Sequence, residues 1–151
     1  ERFLRERPLD TIISSNCSKA TSTQERAIRY YFAMWVTRDF SRFDELFSPC
    51  CRYEECYGPI YEGTEELHRW IEHMLAIQHV TAWDIHDMVF AADGQSVTVT
   101  WTFIAAEKKP CTFDGCSVIH FDGQGRIDSV REFGAEHERC FPQRREEGTE
   151  E

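Results

Sequence analysis

The apolar positions follow two periods along the chain, a helical one in the first half and a strand-like one in the second. Ile28, Tyr31, Phe32 and Trp35 recur at helical spacing, and Ser22-x-x-Glu25 just ahead of them reads as a capping box that opens a helix. A short second helix is predicted after Ser41, carrying Phe43, Leu46 and Phe47 and ended by Pro49. Cys51–Tyr57 then reads as a strand broken by Gly58-Pro59. Thr64 is the expected cap of a third helix, with Leu67, Trp70, Ile71, Met74 and Leu75 on one side. From Trp83 the period falls to two. Trp83–Phe90 is the first long predicted strand, and Ala92-Asp93-Gly94 turns the chain into Val97–Ile104. There Val97, Val99, Trp101 and Phe103 alternate strictly with Thr98, Thr100 and Thr102. Thr112–Phe121 puts Phe113, Ser117, Ile119 and Phe121 on one face, Asp122-Gly123-Gln124-Gly125 is a hairpin turn, and Ile127–Phe133 closes the set.

Helices followed by a meander of strands is an α+β pattern. A strongly curved antiparallel sheet wrapped around the long helix leaves a concave hollow lined by inward aromatics. Residues 1–21 lack periodicity and read as a lead-in, 22–142 as the domain, and 143–151 as a disordered charged tail.

Composition narrows the partners. The chain has 151 residues, about the size of one domain. Against 17 Lys and Arg stand 27 Asp and Glu, a net charge of -10, which argues against nucleic acid or an anionic membrane as partner. No apolar run approaches the ~20 residues of a membrane span, and the opening residues do not resemble a basic-then-apolar leader. Seven cysteines, an odd number, then read as reduced thiols of a cytoplasmic protein. The C-x4-C pairs Cys51/Cys56 and Cys111/Cys116 invite a zinc reading. Five steps along a strand, however, put two side chains on opposite faces ~16 Å apart, so no metal is expected there. Asp84 and His86, with no evident third ligand, read as an exposed patch, and His68 and His73 as solvated. No nucleotide loop, nucleophile elbow or zincin motif occurs, and no cofactor is expected.

The element order, together with Leu46-Phe47, Arg52–Tyr57, Gly58 and Gly63 before a helix, and Phe121-x-Gly-x-Gly-x-Ile127, resembles the cone-shaped nuclear-transport-factor-2-like superfamily. That superfamily includes SnoaL-like polyketide cyclases and ketosteroid isomerases, and the resemblance covers roughly residues 22–137. It implies that Tyr31 takes the place of the isomerases' oxyanion-donating tyrosine and Glu55 that of the general base. Ser117, the third catalytic residue the resemblance implies, stands where those enzymes carry a protonated aspartate, a departure that argues against steroid isomerisation itself. A carboxylate in an apolar hollow makes a better general base, and a buried tyrosine hydroxyl can stabilise an enolate-like oxygen. The same likeness implies a ligand surface of Trp35, Tyr53, Tyr57, Val99, Trp101, Phe103, Phe113, Ile119, Val130 and Glu132. Glu132 is the ambiguous member: plain alternation in the last strand turns it outward, whereas the family pattern turns it inward beside Val130.

Two functions fit. One is a cofactor-free isomerase, cyclase or dehydratase acting on a small apolar carbonyl compound. The other is a non-catalytic ligand-binding or dimerisation module of the same fold. Glu55 discriminates: buried without a cation it favours the enzyme, solvent-facing or salt-bridged it favours the module. A homodimer through the outer sheet face is expected in either case, because the Thr98/Thr100/Thr102 row is low in charge and neighbours Cys116 and Val118.

Overall fold

The computed structural model describes residues 9–144, with side chains from residue 21 onward. Its first helix, α1, spans Leu9–Thr37, so helix runs straight through Ser22 and the expected capping box opens nothing. Glu25 is engaged elsewhere, accepting from Arg29 Nε at 3.0 Å one turn on. The part of the supposed lead-in from residue 9 onward is therefore helical. Residues 1–8 and most of the charged tail, 145–151, lie outside the described residues.

After α1 come α2 (Phe43–Leu46), β1 (Phe47–Glu54), β2 (Ile60–Glu62), α3 (Gly63–Ile77), β3 (His79–Phe90), β4 (Ser96–Ala106), β5 (Cys111–Phe121) and β6 (Ile127–Glu136). The last four strands form the expected antiparallel meander. Several features differ from the sequence reading. Pro49 does not end a helix; it lies within β1, where the pairing with β6 shifts register between Phe47 and Arg52. A proline has no N–H to give the ladder and is tolerated at such an irregularity. In addition, β1 runs parallel to β6, with Tyr53 opposite Val130. No hairpin joins these two strands, so nothing in the connection requires them to be antiparallel. The short β2 then pairs antiparallel with β1, giving a six-stranded sheet in the order β2-β1-β6-β5-β4-β3. Glu62, not Thr64, is the N-cap of α3; its own N–H donates to Glu66 Oε2 at 2.7 Å.

The core lies between α1 and the concave face of the sheet. Ile28, Tyr31, Phe32, Met34 and Trp35 come from the helix, and Val97, Val99, Trp101, Ile119, Phe121, Ile127 and Val130 from the strands. Much of it is aromatic: Phe32 stacks on Trp83 at 4.0 Å and Phe43 on Phe47 at 4.1 Å between centroids. Gln24 Nε2 donates to the Gly94 carbonyl at 2.7 Å, tying α1 to the β3–β4 turn.

Candidate functional site

Each strand delivers its inward residues in register. Trp101 on β4 stands opposite Gly115 on β5, which in turn stands opposite Gly134 on β6. A Cβ at Gly115 would fall 2.4 Å from the Trp101 ring, so the absence of a side chain there is what lets the indole lie across the sheet. Trp101 Nε1 then donates to Ser117 Oγ at 2.9 Å.

The same ladder decides Glu132. His120 pairs with Ser129 but Phe121 pairs with Ile127, which leaves Asp128 as an extra residue in β6. That bulge reverses the alternation after Ile127, so that Val130 and Glu132 face inward and Arg131 outward.

Beyond the end of β1, Gly58 (φ +117°) allows a tight turn in which Gly58 N–H donates to the Glu55 carbonyl at 3.2 Å and Glu55 N–H to the Pro59 carbonyl at 2.9 Å. The turn sets Tyr57 and Tyr61 on either side of the Glu55 side chain. Tyr61 donates to Glu55 Oε1 at 2.8 Å and Tyr57 to Oε2. Glu55 itself is buried, 9% exposed, and among the described residues it has no ion pair.

Glu55 and Glu132 line one cavity of about 280 Å³ under the open end of the sheet. Its wall from the helices is Trp35, Trp70 and Met74, with Gln78 at the end of α3. The strands add Tyr53, Trp83, Trp101, Phe103 and Phe113, and Tyr57 closes one side. Glu107 and Cys111 complete the lining, which contains no Lys, Arg or His. The indole N–H groups of Trp70 and Trp83 are buried without a hydrogen-bond partner, and both rings stand among other rings, Trp83 at 90° to Phe103 and Trp70 stacked 5.0 Å from Tyr61.

Glu132 is the titratable centre. Tyr31 donates to the Tyr53 hydroxyl at 2.9 Å, and Tyr53 donates to Glu132 Oε1. Burial pushes the Glu132 carboxyl up to about 8; the Tyr53 hydrogen bond pulls it down and the negative charge of Glu55 pushes it up again. Burial, and then the Glu132 charge, hold both Tyr31 and Tyr53 well above the usual tyrosine range, so they stay protonated donors. Held up to about 8, the Glu132 carboxyl favours its protonated form at neutral pH, in which it accepts from Tyr53 on one oxygen and can donate from the other.

The structure therefore regroups the residues picked from sequence. Trp35, Tyr53, Glu55, Tyr57, Trp101, Phe103, Phe113 and Glu132 meet at the cavity. Tyr31 does not line it: it lies one layer below, its hydroxyl committed to Tyr53. Ser117 is not part of the lining either; it sits behind Trp101 and accepts the indole proton. Val99, Ile119 and Val130 are fully enclosed core residues beneath the cavity floor rather than lining. Tyr61 escaped the sequence reading because a three-residue strand leaves too little periodicity to detect; its spacing of four from Tyr57 across Gly58-Pro59 is the signal that was available. The remaining histidines lie elsewhere, His68 on Asp44 at 2.7 Å and His86 on Thr102 at 2.8 Å. The six described cysteines outside α1 are free thiols, and among the described residues no three metal-binding side chains converge. Among the described residues no helix is long and apolar enough to cross a membrane.

No curated protein matches the chain in sequence. Solved structures match it in fold. A steroid delta-isomerase from Pseudomonas aeruginosa aligns at 20% identity with a TM-score of 0.58, over 76% of this chain and 81% of its own. An epoxide hydrolase of Mycobacterium tuberculosis, described as LEH-like, aligns at 21% identity with a TM-score of 0.66, over 76% and 84%. The epoxide hydrolase/cyclase-like enzyme SalBIII, of pyran ring formation in polyether salinomycin, aligns at 19% identity with a TM-score of 0.67, over 76% and 92%. These likenesses carry the fold. Residues 28–130 match the SnoaL-like domain, and the chain belongs to that family within the nuclear-transport-factor-2-like superfamily.

Proposed function

We propose that the protein is a cofactor-free acid–base enzyme acting on a small, largely apolar carbonyl compound by isomerisation, cyclisation or dehydration. The observation that carries this reading is a pair of carboxyl groups, Glu132 and Glu55, that face one aromatic cavity and are held by tyrosine hydroxyls rather than cations. In a low-dielectric site such a pair divides acid and base roles. Glu132, protonated at neutral pH, donates to the substrate oxygen as charge develops on it. Glu55 takes a proton from carbon, and its hydrogen bonds to Tyr57 and Tyr61 fix its orientation. Tyr53 and Tyr31 act through Glu132 as positioning residues. The roles expected of Tyr31 and Ser117 thus pass to Glu132.

A panel of cyclic and acyclic ketones, assayed for proton exchange at the carbon next to the carbonyl by deuterium uptake, tests the reading. Uptake that is lost in Glu55→Gln and in Glu132→Gln supports it. Binding without uptake in the wild type supports the non-catalytic module instead. We further propose a reducing, cytoplasmic setting for the free thiols and pairing of two copies through the outer sheet face, where Val89 and Phe133 stand 65% and 48% exposed. A monomer by light scattering at micromolar concentration would exclude the dimer.

A further inference from the structure

The cavity's lining is unusual in two independent ways. First, it is a box of π faces. All four tryptophans of the sequence line it, together with Tyr53, Tyr57, Phe103 and Phe113. The rings stand at steep angles to one another, Trp83 at 86° to Trp101, Trp101 at 77° to Phe113 and Trp35 at 63° to Trp70, so faces as well as edges enclose the space. Second, the carboxyl groups of Glu55, Glu132 and Glu107 stand in the lining, and no Lys, Arg or His there balances them. Three arginines of the surrounding elements are engaged elsewhere: Arg38 donates to the Gln78 and Leu75 carbonyls, and Arg131 and Arg52 bind Glu54 on the other side of the sheet.

Ring faces carry the negative end of the aromatic quadrupole, and a cation set against several of them, out of water, gains on each. Carboxylates withdrawn from water without a protein cation favour the same sign of charge in whatever fills the space. Both features repel an anion and neither requires a neutral guest. At about 280 Å³ the cavity lies at the small end of ligand sites, which run from roughly 300 Å³ upward.

We propose that the ligand of this site is a small organic ammonium cation, tertiary or quaternary, whose nitrogen is caged by the tryptophans and neutralised by Glu55. The inference rests on the acid–base reading of the same two glutamates but goes beyond it, since it assigns the substrate class: a carbonyl compound that also bears a cationic nitrogen. The onium group is bound by differential contacts that a neutral molecule of the same shape cannot make.

The test is a matched pair of probes on the wild-type protein: choline, and neohexyl alcohol, in which carbon replaces the nitrogen at the same shape. With every tryptophan at the site, quenching of intrinsic fluorescence reads occupancy directly, and calorimetry checks it. Choline is expected to bind roughly tenfold tighter or more, and the difference is expected to collapse in the double variant Glu55→Gln, Glu132→Gln. Equal or tighter binding of neohexyl alcohol to the wild type would overturn the inference, with no variant needed. That outcome leaves the acid–base reading untouched, because proton exchange on neutral ketones is measured separately. No proton exchange by the wild type, with the choline preference intact, would overturn the catalytic reading and spare the ligand class.

Discussion

Glu54 and Glu55 are neighbours in sequence, as are Arg131 and Glu132 on the strand alongside, yet the two sides of this seam are built on opposite principles. Outside, Glu54 opposes Arg131 in register and receives Arg131 Nε at 3.0 Å and Arg52 Nε at 2.9 Å. Those guanidiniums, Arg52 foremost, hold its carboxyl below the usual range. Inside, one residue further along each segment, Glu55 and Glu132 meet tyrosine hydroxyls and aromatic rings, and Glu132 rises to about 8. The difference teaches that net charge does not choose the chemistry here; the face of the sheet does.

The largest effect should come from neutralising the inner side. Glu132→Gln keeps an acceptor for Tyr53 but cannot release a proton, and turnover is expected to fall by about 10²–10⁴-fold, the usual worth of a positioned acid or base. Circular dichroism should stay unchanged, since at neutral pH the change exchanges one neutral group for another of the same shape and keeps the acceptor for Tyr53. Retained turnover with intact folding would move the acid to another group.

Next in size is the scaffold beneath the inner face. Trp101→Ala removes a ring that is 1% exposed, packed across Gly115 and tied to Ser117. It should destabilise by about 3–5 kcal/mol. The companion Gly115→Ala tests the same packing from below: the new Cβ would meet both the Trp101 ring and the Phe133 carbonyl at 2.4 Å, and overpacking of this kind costs about 1–3 kcal/mol. Chemical denaturation of both variants checks the order.

A gentler measurement compares the two sides without mutating the core. Glu132 binds its proton more tightly folded, at about 8, than unfolded, at 4.5. Stability from this group is therefore complete below 4.5 and is lost as pH rises through about 8, with a slope of at most ~1.4 kcal/mol per pH unit between them. Glu54 works with the opposite sign, because its folded carboxyl is depressed: what it adds is present at neutral pH and lost on acidification. Denaturant midpoints of wild type and Glu132→Gln from just above the unfolded value of 4.5 to just past the folded value of about 8 should show the downward slope in the first and a flatter line in the second.

How much of this contrast could be read from the sequence depended on the length of each periodic run. The strict alternation in Val97–Phe103 fixed both the strand and the inward side of Trp101. The direction of Glu132 lay beyond simple alternation, because one extra residue at Asp128 reverses every later side chain, and a bulge has no composition of its own. Tyr31 was correctly found buried and on the inner face of α1, but alternation and helical spacing say which side a residue takes, not how deep it lies. Its hydroxyl reaches the cavity only through Tyr53. Ser22 and Glu25 carried a real capping signal that the helix overrode, as local signals yield when hydrogen bonding continues on both sides. The parallel pairing of β1 with β6 joins segments far apart in the chain, where no local rule operates.

The smallest effect should belong to the outer side, and its smallness is the point. Arg131→Gln breaks the Glu54 ion pair and the contact of its guanidinium, 5.5 Å over the Phe133 ring, yet the Arg131 side chain is 60% exposed. Exposed pairs gain little because water and salt already solvate both charges, and holding two long side chains in register offsets much of the attraction. Arg52 stays in place, so Glu54 keeps one partner in the variant. The melting temperature of Arg131→Gln should match wild type at physiological salt, and whatever difference exists at low ionic strength should shrink as salt is added. Turnover and the preference for choline should not move at all, since Arg131 faces away from the cavity. If instead the variant loses the choline preference or shifts the pH at which Glu132 ionises, then the sheet does not insulate its two faces, and the outer arginines are setting the charge of the inner site through the thickness of a single strand.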